Sequence, residues 1–408
     1  MTIKAAMMQF APWLLFSDGC RLLGGAVEVA MFYKNARLFG PDLQFHMGAF
    51  EVNNGVFGRI LPDQVPEDAI DLGGQTVIPG LVEIHSHGNS GADFSDGDYM
   101  GLQRMARYYA CCGVTSFAPA SMTLPYAQLR QAFQTARSFV DAAIPGLAVL
   151  RGIHMEGPYF SYSKRGAQNP DFLQQPDFDS FRALYESCGG LVRIVDVAPE
   201  LPGAEEFIRR AKELCTVSVA HTAADYVQAK AAFDAGATHL THMYNAMPVI
   251  HHRQPGVIPA AAENAAVRAE IICDGHHVHP AAVRLAFSIF GGGRMILVSD
   301  SGRCCGMEDG SRFELGGQEV ELQNGVARLA DGTIACSSAN LFACIVNAMH
   351  FGIPEEDAIR AASYNPACAI GAQDVVGSIV EGKVADFLIC SPDYSKKRVF
   401  LAGTELKT

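Results

Sequence analysis

The sequence has one tryptophan in 408 residues, and no stretch of it reaches the ~20 consecutive apolar residues that a membrane-spanning helix needs. A helical membrane anchor is therefore not expected. Positive charge is also scarce: 31 Lys and Arg face 43 Asp and Glu, for a formal net charge of -12. Such an acidic surface excludes nucleic acid and anionic membrane as partners, since neither is attracted to it. No C-x-x-C pair occurs, and the 12 cysteines are scattered, mostly inside apolar runs. A disulfide framework is thereby excluded, and free buried thiols in a reducing cytosol are expected. What the chain does have is apolar content, 49% of its residues, enough for a large buried core.

That content is distributed in short runs. Segments rich in Val, Ile, Leu and Thr at 81–85, 113–118, 149–156, 192–198, 215–221, 237–242, 269–274 and 294–300 read as strands. Between them, MGLQRMARYYACC, YAQLRQAFQTARSFV, AEEFIRRAKELC, YVQAKAAFDAG and PAAVRLAFSIF carry helical periodicity or composition. Strands alternating with helices call for a parallel sheet with helical crossovers, and eight of them for an α/β fold of the (β/α)8 TIM barrel type. The chain exceeds the roughly 250 residues of a bare barrel. The excess lies at the ends, where 31–79 and 372–408 read as short strands with turn signals such as Gly40-Pro41, Asn54-Gly55 and Gly73-Gly74. These two segments are expected to pair into one small β-sandwich domain beside a barrel spanning 80–371. Residues 1–30 contain AAMMQFAPWLLF, which looks like the apolar region of a signal peptide, yet Asp18, Arg21 and Glu28 spoil that pattern. An N-terminal extension of unclear role is expected instead.

Five of the apolar runs end on a residue that binds metals or moves protons. LVEIH reaches His85 and, two residues on, His87; GIHME ends on Glu156, VSVAH on His221, THLTH on His242 and MILVSD on Asp300. In a (β/α)8 barrel the C-terminal ends of all strands converge on one face, where catalytic side chains collect. His-x-His at a strand end places both imidazoles on one side, because side chains repeat every two residues along a strand. Imidazole and carboxylate together suit Zn or Fe(II), and an ion with an open position makes water acidic near neutral pH. Asp300, on the eighth strand, is then a natural general base, and the sum is a metal-activated hydrolase. The excursion 301–336, marked as hairpins by its Gly-Gly, Asn-Gly and Asp-Gly steps, directly follows Asp300 and is expected to hang over this site.

PGLVEIHSHG, HMEGPYFSYSKRGAQNP, AHT, HMYNAMP, CDGHHVHP, SDS and SYNPACAIG resemble, in order and spacing, the N-acetylglucosamine-6-phosphate deacetylases of the amidohydrolase superfamily, over roughly residues 75–405. The resemblance implies removal of acetate from a phosphorylated amino sugar, giving glucosamine 6-phosphate. It implies Glu156, His221 and His242 as ligands of the main divalent metal, and Asp300 as the base that later protonates the leaving amine. His277 would help to polarise the acetamide carbonyl. His85 and His87 match a position where some members bind a second metal and others have lost the pair, so one ion or two per chain stays open. Ala167 and Gln168, Asn245 and Ala246, Asp274 to His277, and Thr333, Ile334 and Ala335 match sugar- and phosphate-contacting segments. Arg253 resembles a phosphate-binding arginine that reaches across a dimer interface, which implies a homodimer.

Three departures accompany the resemblance. Asp300 is followed by Ser301-Gly302-Arg303-Cys304-Cys305 rather than by Ala, Ala335-Cys336-Ser337-Ser338 stands in place of SGSS, and Gln168 stands where some members have His. The metal residues are kept while the sugar-facing loops differ, so the galactosamine epimer or another small acylamide remains an alternative substrate. A catalytically silent sugar-phosphate-binding relative is the reading from another class, but such a protein has no need of both Asp300 and Glu156. Outside this set, His154 reads as a barrel-lining histidine, and Cys304-Cys305 as two buried thiols. His251 and His252 could add positive charge beside Arg253.

Overall fold

The computed structural model describes residues 30–407, so the extension read at 1–30 lies, save for Ala30, outside the described residues. Strands form where the Val, Ile and Leu runs stand. Leu81–Glu83, Val114–Phe117 and Val149–Leu150 make one parallel sheet. Ile153–Met155, Val192–Val197, Thr216–Val219, His239–Leu240, Arg268–Ile272 and Met295–Val298 make a second, in that order and all parallel. A parallel bridge between Ala120 and His154 joins the two sheets. At the far end, the Asp300 N–H donates to the His85 carbonyl at 2.9 Å, so the last strand finishes beside the first. Almost every strand residue is buried on both faces, as helix-covered parallel sheets require, and this is why the runs show no in–out alternation.

Helices return the chain between strands, with ends set by local chemistry. Tyr99–Cys112 starts at Asp98, whose carboxylate accepts from the N–H groups of Met100 and Gly101, and stops at Gly113 with φ 93°. A Cβ at Gly113 would also strike Leu388, so glycine there serves the turn and the packing together. No described helix is long and apolar enough to cross a membrane.

The two β-rich ends do meet. Phe387–Cys390 pairs antiparallel with Thr76–Pro79, extending a sheet that runs through Met31–Phe39 and Phe45–Asn53 to Val56–Ile60, and through Lys397–Leu401 to Thr404–Glu405 on the other side. Ile70–Asp71 adds to Met31–Phe39. The strands form one hydrogen-bonded sheet, which curls until Val56 on its edge bridges to Val384. Inside the curl, Tyr33 stacks on Phe50 at 4.8 Å and Phe387 on Phe400 at 4.3 Å.

The hairpins after Asp300 form a four-stranded antiparallel sheet: Arg312–Leu315, Gln318–Gln323, Val326–Leu329 and Ile334–Ser337. It is tied down at both ends. The Ser337 N–H donates to the Asp300 carbonyl at 2.8 Å, and Gln318 Nε2 donates to the Ala167 carbonyl at 2.6 Å.

Candidate metal centre

The site residues stand just past the strand ends rather than on the strands. Strands expected to reach 85, 221, 242 and 300 stop at Glu83, Val219, Leu240 and Val298. The cause is backbone conformation: His221, His242 and Asp300 have φ of 43°, 29° and 46°. Left-handed backbone costs a non-glycine residue about 1–3 kcal/mol. Hydrogen bonds hold it here, from the Ser161 N–H to the His221 carbonyl (3.0 Å), from the Met243 N–H to the Glu270 carbonyl (2.8 Å) and from the Ser337 N–H to the Asp300 carbonyl (2.8 Å). His85 and His87 converge as expected, though through the turn beyond Glu83 and not through strand alternation.

Glu156 is the hub. Its Oε1 lies 3.0 Å from His221 Nε2 and 3.2 Å from His242 Nε2, and those two nitrogens are 3.0 Å apart. Its Oε2 lies 3.0 Å from His87 Nε2. His85 Nε2 sits 3.5 Å from Glu156 Oε1 and 3.6 Å from Asp300 Oδ1, and His87 Nε2 is 3.4 Å from the same aspartate oxygen. Two three-ligand sets result, Glu156 with His221 and His242, and Glu156 with His85 and His87.

The hydrogen bonds behind these atoms test whether a cation fits. His221 Nδ1 donates to the Lys164 carbonyl (2.8 Å) and His87 Nδ1 to the Ala120 carbonyl (3.2 Å), so the lone pairs of both rings are at Nε2, facing Glu156. His85 Nε2 and His242 Nδ1 are buried without any hydrogen-bond partner. Nitrogen lone pairs and a carboxylate packed this closely out of water repel unless a positive charge sits among them. The donor set is that of a divalent transition metal. With no ion bound, protons on the rings would have to supply that positive charge: burial would raise the Glu156 carboxyl, but protonated His85 and His87 outweigh it and hold the group well below the usual carboxylate range. Asp300 is depressed in the same way, with His85 and His87 overcoming its burial, while Glu156 and Asp300 push His87 up to about 10 against the desolvation of its ring.

Gln168 joins this group: its Nε2 donates to Glu156 Oε2 at 3.0 Å and its Oε1 accepts from the Thr123 N–H at 2.7 Å. Ala167 is fastened to the hairpin sheet through Gln318, and the same sheet carries Ile334 and Ala335, with Thr333 at its last turn. Asn245 folds back on the His242 carbonyl (3.3 Å), and the Ala246 carbonyl accepts from the Thr222 N–H (3.0 Å). Asp274 grips its own turn, accepting from the His276 and His277 N–H groups and from His277 Nδ1 at 2.6 Å. Burial lowers the basicity of His277, but the Asp274 hydrogen bond and charge outweigh it and leave its pKa raised, with Asp300 adding to the effect.

Arg253 stands apart, exposed, in a turn that leaves Val249 81% exposed. Its guanidinium donates to His252 Nε2 at 2.7 Å. Among the described residues all 11 cysteines are free; Cys304 and Cys305 are buried, and the sulfur facing Cys304 is that of Cys336, at 3.8 Å.

Beneath the centre the structure gathers residues that sequence reasoning passed over. Glu83 accepts from the His85 and Ser299 N–H groups (3.0 and 3.1 Å), and Glu270 accepts from His85 and His239. Asp196 accepts from His154 Nε2 (2.9 Å) and Thr241 Oγ1 (3.0 Å), which gives this buried histidine its partner. A signal was present: each acid interrupts an otherwise apolar strand run, LVEIH, RIVDV and RAEII. A carboxylate in such a run must find donors in the interior.

Comparison with known proteins agrees with this geometry. The amidohydrolase family model matches residues 76–406. An N-acetylglucosamine-6-phosphate deacetylase of Vibrio furnissii is 37% identical, over 82% of this chain and 84% of the relative. An N-acetylgalactosamine-6-phosphate deacetylase of Escherichia coli O157:H7 is 33% identical, over 86% of this chain and 93% of the relative. Among solved structures, a mutant N-acetyl-D-glucosamine-6-phosphate deacetylase of Mycobacterium smegmatis, in complex with N-acetyl-D-glucosamine-6-phosphate, superposes with a TM-score of 0.87 at 30% identity, over 94% of this chain and all 100% of that one.

Proposed function

Because the chain belongs to the amidohydrolase family, we propose that it hydrolyses the acetamide of N-acetylglucosamine 6-phosphate to glucosamine 6-phosphate and acetate. The observation that carries the reading is the convergence of Glu156, His221 and His242 into one buried ligand set, with Asp300 facing His85 and His87 beside it. In the same reading the two parallel sheets are a (β/α)8 barrel, and segments 31–79 and 372–408 are a small domain whose curled sheet folds in the manner of a sandwich. Zn or Fe suits the ligands, one ion at Glu156, His221 and His242 and a second at His85 and His87.

A bound divalent ion supplies Lewis acidity at the acetamide oxygen and makes water acidic enough to attack. Asp300, as a carboxylate, takes the proton of the attacking water as the C–O bond forms. It then returns that proton to the sugar nitrogen as the C–N bond breaks. His277, protonated through Asp274, donates to the carbonyl oxygen as negative charge gathers there. Ala167, Gln168, Asn245, Ala246 and the Thr333 to Ala335 strand line the sugar, and Arg253 takes the phosphate of the partner's substrate in a cytoplasmic homodimer. The exposed Val249 and Ile250 beside Arg253 support an interface there. N-acetylgalactosamine 6-phosphate is the second reading, favoured by the 33% identical relative with that activity.

Acetate release on N-acetylglucosamine 6-phosphate, its galactosamine epimer and the unphosphorylated sugars tests the proposal, with metal content measured on the same sample. The highest kcat/KM is expected for N-acetylglucosamine 6-phosphate. Arg253→Ala should raise KM for the phosphorylated sugar by about tenfold or more, the equivalent of roughly 1.4 kcal/mol, because a guanidinium binds phosphate through paired charge-assisted bonds. Equal KM values would remove the phosphate from the substrate and favour a plain acylamide.

The pair Asp274–His277 sets a pH limit. A raised pKa keeps His277 protonated to higher pH, and activity that needs the imidazolium falls as pH rises through that value. Asp274→Asn removes the supporting charge, so the alkaline limb of kcat should move to lower pH. An unmoved limb would take His277 out of the mechanism.

A further inference from the structure

Glu270 lies in the middle of the strand Arg268–Ile272, fully buried. Its Oε2 accepts from His85 Nδ1 at 2.8 Å and from the His242 N–H at 3.2 Å, and its Oε1 accepts from His239 Nε2 at 2.9 Å. Nothing in the reaction outlined above uses this carboxylate, yet a single oxygen of it reaches both halves of the metal centre. For His85 the consequence is a tautomer. With Nδ1–H committed to Glu270, the lone pair sits on Nε2, the atom that faces Glu156 and Asp300 without a hydrogen-bond partner. For His242 the consequence is conformation: its φ of 29° is rare for a non-glycine residue, and Glu270 holds the N–H on one side while its own carbonyl holds Met243 N–H on the other.

Glu270, His85 and His154 also come close enough to form a ligand set of their own. His154 rules that set out. Its Nδ1 donates to the Ile84 carbonyl and its Nε2 to Asp196, both at 2.9 Å, so neither nitrogen has a lone pair to give. Glu270 therefore acts on an ion through the histidines and not as a ligand.

We infer that Glu270 is a positioning residue of the metal centre, which orients His85 through its ring and His242 through its backbone; this rests on the metal-dependent reading above. The test uses the full chain loaded with Co(II), titrated with a competing chelator, for wild type, Glu270→Gln and Glu270→Ala, together with the Co(II) absorption spectrum and the Tm at saturating Co(II). A glutamine has one acceptor oxygen where the carboxylate has two, and no charge, so it cannot serve three donors. Co(II) is expected to bind Glu270→Gln more weakly by about ten- to a hundredfold, with an altered spectrum and a Tm close to wild type. Glu270→Ala should bind more weakly still; if it fails to fold, Glu270→Gln alone decides. Wild-type affinity and spectrum in Glu270→Gln would overturn the inference, as would a lowered Tm with unchanged Co(II) affinity, the mark of a purely structural role. No sugar enters this assay, so a wild-type protein that releases no acetate would sink the proposed function and leave the Glu270 result standing.

Discussion

Asp300→Asn should lose turnover by roughly a thousandfold, within the 10²–10⁴ range of a general base, while keeping its full metal content. The substitution is nearly isosteric, and asparagine tolerates the left-handed backbone at this position, where φ is 46°. The backbone bonds of residue 300, its N–H to the His85 carbonyl and its carbonyl from the Ser337 N–H, do not involve the side chain. Glu156, His221 and His242 stay in place, so what disappears is the capacity to accept a proton and return it. Elemental analysis beside steady-state kinetics checks both halves of the expectation. Near-normal turnover in Asp300→Asn protein would sink the mechanism; of the buried acids beneath the centre, Glu83 is committed to two N–H donors and Glu270 to three.

Glu156→Ala should remove metal and activity together. Its Oε1 serves His221 and His242 and its Oε2 serves His87 and Gln168, so one truncation takes a ligand from both three-ligand sets. A Lewis acid contributes several kcal/mol to the transition state, and at about 1.4 kcal/mol per decade the rate should drop by about 10³-fold or more. His221→Ala should behave alike for the main ion. The double variant His85→Ala with His87→Ala should differ, its metal content falling from near two per chain toward one while Glu156, His221 and His242 keep theirs. A wild-type content of one under metal-replete conditions would make the His85 and His87 pair structural.

The placement of the strands was legible because apolar runs are local. Seven of the eight runs became one strand each and 149–156 became two, Val149–Leu150 and Ile153–Met155; the helix read as PAAVRLAFSIF forms over Pro280–Phe290, and the hairpins after Asp300 turn at the Gly-Gly, Asn-Gly and Asp-Gly steps. The two β-rich ends were legible for the same reason, although their union in one curled sheet depends on Phe387–Cys390 finding Thr76–Pro79. Strand ends were less legible. The left-handed turns at His221, His242 and Asp300 are maintained by partners elsewhere in the chain, such as Glu270 for His242, and no local propensity announces them.

Residue chemistry and order along the chain were determined by the sequence alone: an acidic protein, eight buried strand runs, and imidazoles and carboxylates at the ends of five of them. Those properties reside in single residues or in stretches a few residues long, so they survive without knowledge of the fold. Which of the donors share an ion was decided only in three dimensions. His85 and Glu270 are 185 residues apart, and Glu156 and His242 are 86 apart, yet each pair is in contact because the parallel strands bring their ends to one place even where the strands are not neighbours in the sheet. The same holds for the tautomer of His85. A proton's position is set by what faces the nitrogen, and in a parallel sheet that partner comes from a distant strand.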